Sequence, residues 1–374
     1  MSISWLALED GTLFQGLPFG ASGTVCGEIV FNTGLTGYVE VLTDPSYKGQ
    51  IVTMTYPHIG NYGVTLEDLE SSEPHVSGFV VREASRAFSN WRADSSIQEF
   101  LRNHGIIGIS EIDTRALTLR IREVGALRAC ISSEDVASDE LVERARAFPS
   151  ISEQDLVGQV TSREIQRWDD PIDLEWNGTH PYRPEDFHVV AFDFGIKHNI
   201  LRSLRSRVSR VTLVPASTSA SRVRDLKPDG IFLSNGPGDP AYLGEIIQTI
   251  HELIQMNIPI FGICLGHQLL GLAMGAHSYK LKFGHRGCNQ PVKHLGTGRV
   301  EITTHNHGFA LQDLPNELEI THLSLNDNTI EGFRHKKLPI FAVQYHPEAA
   351  PGPHDSDYLF ESFVELMKDG VREK

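Results

Sequence analysis

The chain has 374 residues, with 33 lysine and arginine residues against 48 aspartate and glutamate residues and a formal net charge of −15. This length is enough for two domains that each bury a core. The acidic balance argues against nucleic acid or an anionic membrane as a partner. The four cysteines, Cys26, Cys130, Cys264 and Cys288, are scattered without a C-x-x-C pair, which predicts free thiols in a reducing compartment.

Residues 1–150 are predicted to form a smaller mixed domain. Between residues 27 and 63, β-branched and aromatic runs are separated by Gly, Asn and Asp-Pro punctuation, which is typical of strands and turns. Helical patterns follow over residues 95–104 and 113–123. Ser46 lies in the turn D-P-S-Y, where spacing alone favours a hydroxyl that bonds its own backbone.

Residues 151–186 show no periodicity and include Trp176 and Pro181, so we expect a connecting segment there. Apolar runs then alternate with helical stretches, which predicts an α/β domain over 187–374. Its sheet is expected to be mostly parallel, with helices on both faces and a ligand cleft beyond the carboxyl ends of the strands. The predicted strands are 188–195, 210–215, 229–234 and 259–263, and the predicted helices are 198–204, 241–255 and 355–367.

The stretch FGICLGHQLLGLAMGA (261–276) has the pattern of a nucleophile elbow. An apolar strand changes to helical spacing at Cys264, with Gly262 and Gly266 on either side. Glycine is needed at both positions because a Cβ would collide with a sharp strand-to-helix turn. A thiol at a helix N-terminus is favoured as the thiolate, and nearby N–H groups can stabilise an oxyanion. A small core cysteine beside packing glycines is the alternative.

A histidine and a glutamate follow a second strand. In the stretch FAVQYHPEAAPGPHDSDYLF (341–360), His346 and Glu348 flank Pro347, which confines the histidine to extended geometry. Residues two apart in extended backbone lie on the same side. The pair therefore has the arrangement of a base and the carboxylate that orients it, although a solvated turn would look the same.

Two further segments could bind a ligand or a metal ion. SNGPGDP (234–240) is a stiff glycine–proline loop with N–H groups open to a ligand, or simply a tight turn. In ITTHNHGFAL (302–311), His305 and His307 stand two apart, but no third ligand follows at a matching interval. We therefore predict no metal site.

No charged residue occurs from Leu253 to Tyr279, which is long enough to suggest a membrane span. Pro259, His267 and Gln268 inside it indicate a buried strand–turn–helix instead. The first residues include acids where a signal peptide needs a basic start. We expect a cytoplasmic protein without a membrane partner.

The motifs GICLGHQ, SNGPGDP and the late HPE resemble those of class I (triad-type) glutamine amidotransferases. Further segments, among them GEIVFNTGLTGYVEVLTDPSYKGQ, FDFGIKHNIL and HNHGFAL, are similar to the family of small, glutamine-hydrolysing subunits of carbamoyl-phosphate synthetase. The resemblance implies Cys264 as nucleophile, His346 as general base and acid, and Glu348 as its orienter. It also implies an oxyanion hole from Leu265 and Gly236, and the following glutamine-binding residues: Ser46, Gly236, Gly238, Leu265, Gln268, Asn306, Gly308 and Phe309.

The resemblance further implies that ammonia passes to a large subunit, which binds ATP and magnesium and makes carbamoyl phosphate for arginine and pyrimidine biosynthesis. No G-x-x-x-x-G-K-[ST] loop occurs in this chain, so we expect no cofactor on it and a heterodimer or higher oligomer with that subunit. Two rival readings stay open: another amidotransferase or free-standing γ-glutamyl hydrolase, and a non-catalytic regulatory subunit.

Overall fold

The computed structural model describes residues 3–171 and 184–372. Trp176 and Pro181 of the predicted connection lie outside the described residues. The chain divides into two compact units, one of Met1–Gln154 with Leu281–Gly287 and one of Asp155–Lys280 with Cys288–Lys374. We call them the barrel unit and the sheet unit. A short segment from the C-terminal half of the sequence thus belongs to the barrel unit.

In the described part of the barrel unit, seven strands close into a barrel in the order β1-β2-β8-β6-β4-β3-β9. Closure leaves no unpaired strand edge. The strands are β1 (Ser4–Leu8), β2 (Leu13–Gly20), β3 (Thr24–Asn32), β4 (Gln50–Met54), β5 (His58–Ile59), β6 (Gly78–Val80), β7 (Glu83–Ala84), β8 (Ile107–Ser110) and β9 (Leu127–Ser132). The helices are α1 (Tyr38–Thr43), α2 (Ile97–Asn103), α3 (Thr114–Val124) and α4 (Ser138–Ala147).

Two cysteines of the barrel unit form a disulfide. Cys26 on β3 stands opposite Cys130 on β9, and the two sulfurs are bonded. The prediction of free thiols is wrong for this pair, because strand pairing brings together residues that are 104 positions apart in sequence. Cys264 and Cys288 are not part of a disulfide.

The sheet unit is built on a ten-stranded mixed sheet in the order β10-β12-β11-β13-β14-β19-β18-β17-β15-β16. The strands are β10 (Gln166–Trp168), β11 (Glu185–Asp193), β12 (Val208–Pro215), β13 (Gly230–Leu233), β14 (Ile260–Ile263), β15 (His277–His294), β16 (Val300–Gln312), β17 (Leu318–Ser324), β18 (Ile330–His335) and β19 (Ile340–Val343). The helices are α5 (Val157–Val160), α6 (His198–Arg205), α7 (Ala220–Leu226), α8 (Gly244–Ile254), α9 (Leu265–Ala273) and α10 (Tyr358–Arg372).

Parallel pairing is confined to the centre of this sheet. β12, β11, β13, β14 and β19 run parallel to their neighbours, as expected. β10 joins one edge antiparallel, and β18, β17 and β15 continue antiparallel on the other side. The expectation of a mostly parallel sheet therefore describes only its core. The expected connecting segment also contributes a strand, because β10 pairs with β12.

Helices cover both faces of the parallel core. Val190 and Phe192 of β11 point into a core shared with α7, α8 and α9, and Val189 and Ala191 point into one shared with α6 and α10. This alternation follows from the two-residue repeat of a strand. A strand buried on both faces must be apolar throughout, which explains the run VVAF. None of the helices in 3–171 and 184–372 has the length and apolar character needed to cross a membrane.

Candidate active site

The strand-to-helix turn after β14 carries Cys264 at the carboxyl edge of the parallel core. Its backbone has φ 53° and ψ −103°, a strained conformation for a residue with a side chain. A Cβ on Gly262 would lie 2.9 Å from the backbone of Gly266, and one on Gly266 would collide with the carbonyl oxygen of Leu233. Both glycines are thus required for the turn, as the sequence pattern predicts.

His346 and Glu348 emerge beyond β19, the parallel neighbour of β14. The Nδ1 of His346 lies 2.7 Å from Oε1 of Glu348, and both side chains are buried. The backbone N–H of His346 donates to the carbonyl of Thr304 on β16 at 2.9 Å. The buried Nε2 of His346 makes no hydrogen bond with the described residues, and the Cys264 side chain interacts electrostatically with this imidazole.

Lys197 completes this line of groups. Its Nζ donates to Oε1 of Glu348 at 2.9 Å and to the carbonyls of Ala349 and Ala350 at 3.0 Å each. The lysine side chain is only 3% exposed. It precedes α6, far away in sequence, and the sequence interpretation did not single it out. The feature of the sequence that could have indicated Lys197 is its place in FDFGIKHNIL, just after a buried strand.

The charges of these groups set their protonation. Burial would raise the pKa of Glu348, but Lys197 and then His346 lower it to about 2. Burial would lower the pKa of His346, but Glu348 and Cys264 raise it to about 10. Each opposite charge favours the ionised form of its neighbour. The arrangement therefore holds an ionised carboxylate against a protonated imidazole in a buried site.

Gly236 of the loop after β13 lies beside the first residue of α9. A Cβ on Gly236 would lie 2.8 Å from Cδ2 of Leu265 and would collide with the carbonyl of Phe194. Only glycine fits in this position. Gly238 in the same loop has φ +92°, a conformation that L side chains rarely adopt.

Four of the remaining predicted residues lie on α9 and β16, the two elements that meet at Cys264. The Sγ of Cys264 lies 3.6 Å from the carbonyl oxygen of Asn306 on β16. The Nε2 of Gln268, on α9, donates to the carbonyl of Phe309 at 2.8 Å and to Oε1 of Gln344 at 3.0 Å. Gly308 lies between Asn306 and Phe309 on β16, so the structure brings this segment to the elbow.

Ser46 lies in the barrel unit. It is buried in a single 3-10 turn, Pro45–Tyr47, and its N–H donates to Oδ1 of Asp44 at 2.8 Å. Ser46 lies in a turn, as the sequence predicts. The side chain that accepts the turn's backbone N–H is that of Asp44, however, and not the hydroxyl of Ser46.

His305 and His307 have an acidic neighbour that the sequence interpretation missed. Oε2 of Glu331, on β18, lies 3.7 Å from Nδ1 of His305, which lies 3.1 Å from Nε2 of His307. Their ligand-type atoms lie within 4.8 Å of one another, a spacing that a metal ion accepts. Glu331 is 24 residues beyond His307, so no local spacing could reveal it.

Comparison with known proteins extends over both units. Residues 190–366 match the model of the glutamine amidotransferase class-I family. Residues 6–131 match that of the carbamoyl-phosphate synthase small chain, CPSase domain. The carbamoyl phosphate synthase small chain of Syntrophotalea carbinolica is 55% identical over 366 residues, which cover 97% of each chain. The chain belongs to the carbamoyl phosphate synthase small chain family.

Other members of the small chain family are similar to this chain over almost the same length. The protein of that name from Synechocystis is 54% identical over 97% of this chain and 95% of its own length. The one from Aquifex aeolicus is 52% identical over 97% and 98%. The amidotransferase match contains Cys264, His346, Glu348 and Lys197, and the small-chain match contains Ser46. The small-chain match therefore lies within the barrel unit, and the amidotransferase match lies on the sheet unit apart from residues 281–287.

Proposed function

We propose that the chain is the glutamine-hydrolysing small subunit of a carbamoyl phosphate synthase. It converts glutamine and water to glutamate and ammonia, and the ammonia serves an ATP-dependent large subunit. The observation that carries the proposal is Cys264, held at positive φ on the elbow beside the line of His346, Glu348 and Lys197. Family matches over both units favour this function over a free-standing hydrolase.

In the first half of the reaction, the Cys264 sulfur attacks the side-chain amide carbon of glutamine and forms a C–S bond. The amide oxygen becomes an oxyanion, for which the N–H groups of Leu265 and Gly236 are the proposed donors. Each such donor is worth about 3 kcal/mol in the transition state. The C–N bond then breaks as Nε2 of His346 gives its proton to the leaving nitrogen, so ammonia departs and a thioester remains.

In the second half, water attacks the thioester carbon while His346 takes one of its protons. The C–S bond breaks, the product loses its carboxyl proton to solvent and leaves as glutamate, and the Cys264 thiolate is restored beside the protonated His346. Glu348 keeps Nδ1 of His346 protonated throughout, which directs Nε2 at the reacting atoms. Lys197 keeps Glu348 ionised and in place.

The proposed glutamine-binding residues are those that the resemblance implies. Gln268, Asn306, Gly308 and Phe309 are proposed to hold the substrate beside the elbow, with Gly236, Gly238 and Leu265 at the amide end. Ser46 is proposed as a further glutamine-binding residue. ATP and magnesium belong to the large subunit in this proposal. Because ATP and glutamine are cytoplasmic metabolites, we place the complex in the cytoplasm.

The test uses the chain co-expressed with its large subunit. Cys264→Ser should lower glutamine-dependent carbamoyl phosphate formation by at least about 10³-fold, because the hydroxyl is a far weaker nucleophile than the thiolate. Synthesis from added ammonia should be retained, since it bypasses the elbow. A glutamine-analogue chloroketone should label the wild-type chain at neutral pH and fail to label this variant.

Cys288→Ser is the matched control, because Cys288 is the other cysteine outside the disulfide. It should leave glutamine-dependent synthesis and chloroketone labelling unchanged. Wild-type glutamine-dependent synthesis in Cys264→Ser would overturn the proposal. Labelling that moves to Cys288 would do the same.

A further inference from the structure

The side-chain amide of Gln268 is held by two acceptors. Gln268 lies one turn after the nucleophile on α9, and its backbone N–H donates to the carbonyl of Cys264 at 3.1 Å. Its Nε2 donates to the carbonyl of Phe309 at 2.8 Å and to Oε1 of Gln344 at 3.0 Å. Both hydrogens of the amide nitrogen are therefore used within the protein. Its Oε1 accepts no hydrogen bond from residues 3–171 and 184–372, which leaves this oxygen for a ligand.

These two acceptors decide which way the Gln268 amide points. A backbone carbonyl oxygen only accepts, so the end of the amide that faces Phe309 must be the nitrogen. With that contact alone, the amide could still rotate about it and swing Oε1 to another direction. The oxygen of Gln344 prevents the rotation because it binds the second hydrogen of the same nitrogen. Gln344 thus fixes the direction in which Oε1 of Gln268 points.

Gln344 is itself fixed relative to the nucleophile. It follows β19 directly, and its backbone N–H donates to the carbonyl of Glu331 on β18 at 2.9 Å. The carbonyl of the preceding residue, Val343, accepts the N–H of Cys264 at 2.9 Å. Gln344 is completely buried. The backbone that carries Gln344 is therefore bonded to the backbone of the nucleophile, so Gln344 holds Gln268 in register with Cys264.

The ring of His267 lies behind Gln344. His267 is completely buried on α9, burial lowers its pKa to about 3, and the side chain of Gln344 acts on this pKa in the opposite direction. The ring is therefore neutral at physiological pH, and one of its nitrogens is an acceptor. Nε2 of Gln344 is buried and makes no hydrogen bond within the described part of the chain. The acceptor nitrogen of His267 is the partner that this donor end can use, whereas a protonated ring would repel it.

We propose that Gln344, backed by the neutral ring of His267, is a positioning residue that directs Oε1 of Gln268 at an N–H group of the bound glutamine. Gln344 acts through Gln268 and touches no reacting atom. The contact with glutamine rests on the proposed function, whereas the orientation of the Gln268 amide does not.

The orientation is tested by NMR on the full chain labelled with ¹⁵N-glutamine. The side-chain amide of Gln268 is assigned by the signal that Gln268→Met removes. Its two hydrogens should exchange slowly with water in wild type, and at least about tenfold faster in Gln344→Met, where one acceptor is lost. Equal exchange rates in the two proteins would overturn the proposal.

The kinetic effect is measured in the complex with the large subunit. Gln344→Met removes the acceptor at similar volume, so KM for glutamine should rise about tenfold while kcat changes less than about threefold. Gln344→Glu should keep KM within about threefold of wild type. Burial favours the neutral acid, whose carbonyl oxygen accepts from Gln268 and whose O–H donates to His267. A Gln344→Glu protein as impaired as Gln344→Met would contradict the proposal.

A double-mutant cycle separates positioning from a general packing role. If Gln344 acts through Gln268, then Gln268→Met/Gln344→Met should have the same KM as Gln268→Met alone, to within about twofold. A packing role would instead add its own effect in both backgrounds. Multiplication of the two single effects on KM would therefore sink the proposal.

Gln290→Met is the matched control. Oε1 of Gln290 also accepts from a side-chain amide, that of Asn326 at 2.7 Å, but in an exposed position. KM for glutamine should be unchanged in this variant. Absence of glutamine turnover in every protein, wild type included, would reject the proposed function. The exchange measurement would then still decide the orientation of Gln268.

Discussion

Lys197 decides the charge state of the carboxylate that orients His346. Its ammonium group bonds Glu348 and two neighbouring carbonyls, so it has no freedom to move away. Without Lys197, burial would favour the neutral form of Glu348. The carboxyl group would then no longer offer His346 a negatively charged hydrogen-bond acceptor. The positive charge of one buried residue thus supports the proton-transfer role proposed for another.

A pH prediction follows for Lys197→Met. The pKa of Glu348 is about 2 against an ordinary 4.5, with Lys197 as the leading cause of the lowering. The ionised carboxylate therefore stabilises the fold above about pH 4.5, and this contribution is lost as the pH falls toward 2. In Lys197→Met the pKa of Glu348 rises, so glutaminase activity and melting temperature should begin to fall about one pH unit higher or more.

The measurement is a pH–rate profile with melting curves from pH 2 to 8. Lys368→Met is the control, because Lys368 also bonds two carboxylates, Glu185 and Glu365, but on the surface. Its acid limb should match wild type. A wild-type acid limb in Lys197→Met would show that Lys197 does not govern Glu348.

At the scale of elements, the elbow depends on close contact between α9 and β13. Gly266→Ala should place a methyl group against the Leu233 carbonyl and push α9 away from the sheet. We expect a loss of about 1–3 kcal/mol in the free energy of unfolding. Glutaminase activity should fall further, since Leu265 and Cys264 move with the helix. Urea unfolding and the glutaminase assay measure the two effects.

Gly244→Ala is the matched substitution at the start of α8. An added Cβ meets nothing within 4 Å there, so stability should be unchanged or slightly higher. Equal losses in the two variants would mean that glycine is required in helices of this chain generally, and not at the elbow in particular.

The sequence was sufficient for those parts of the site that have a local cause. Cys264 with its glycines, and His346 with Glu348, follow from a change of period and from extended backbone at Pro347. Most helices and parallel strands were also predicted to within a few residues; α10, for example, begins at Tyr358 rather than at residue 355.

Groups joined through the sheet could not be found in this way. Lys197 reaches Glu348 from 151 positions away, and Glu331 reaches His305 only because β16 and β18 belong to one sheet. The strands β15, β17 and β18 were missed because their apolar residues are few, and strand propensity depends on neighbours that a sequence does not display. The same reason accounts for the disulfide between Cys26 and Cys130.

For the whole molecule, the two units are not two continuous stretches of sequence, because one short segment belongs to the unit that is distant in sequence. Residues 281–287 interrupt the sheet unit in sequence but belong to the barrel unit. The carbonyl of Lys282 accepts the N–H of Ala126, and the ring of Phe283 lies 5.7 Å from that of Phe31 on β3. A fragment that ends at Gln154 would therefore lack part of the core of the barrel unit.

Phe283→Ala in the full chain tests this membership by hydrogen exchange. Losing the ring should cost about 1–3 kcal/mol locally and speed amide exchange in β3. Strands β13 and β14 should keep their protection, although Phe283 lies closer to β14 in sequence. Phe341→Ala is the matched variant, since Phe341 stacks on Phe261 of β14 at 4.4 Å, and it should give the opposite pattern. Faster exchange in β14 with an unchanged β3 in Phe283→Ala would contradict the assignment, because the lost packing must appear where the ring makes its contacts.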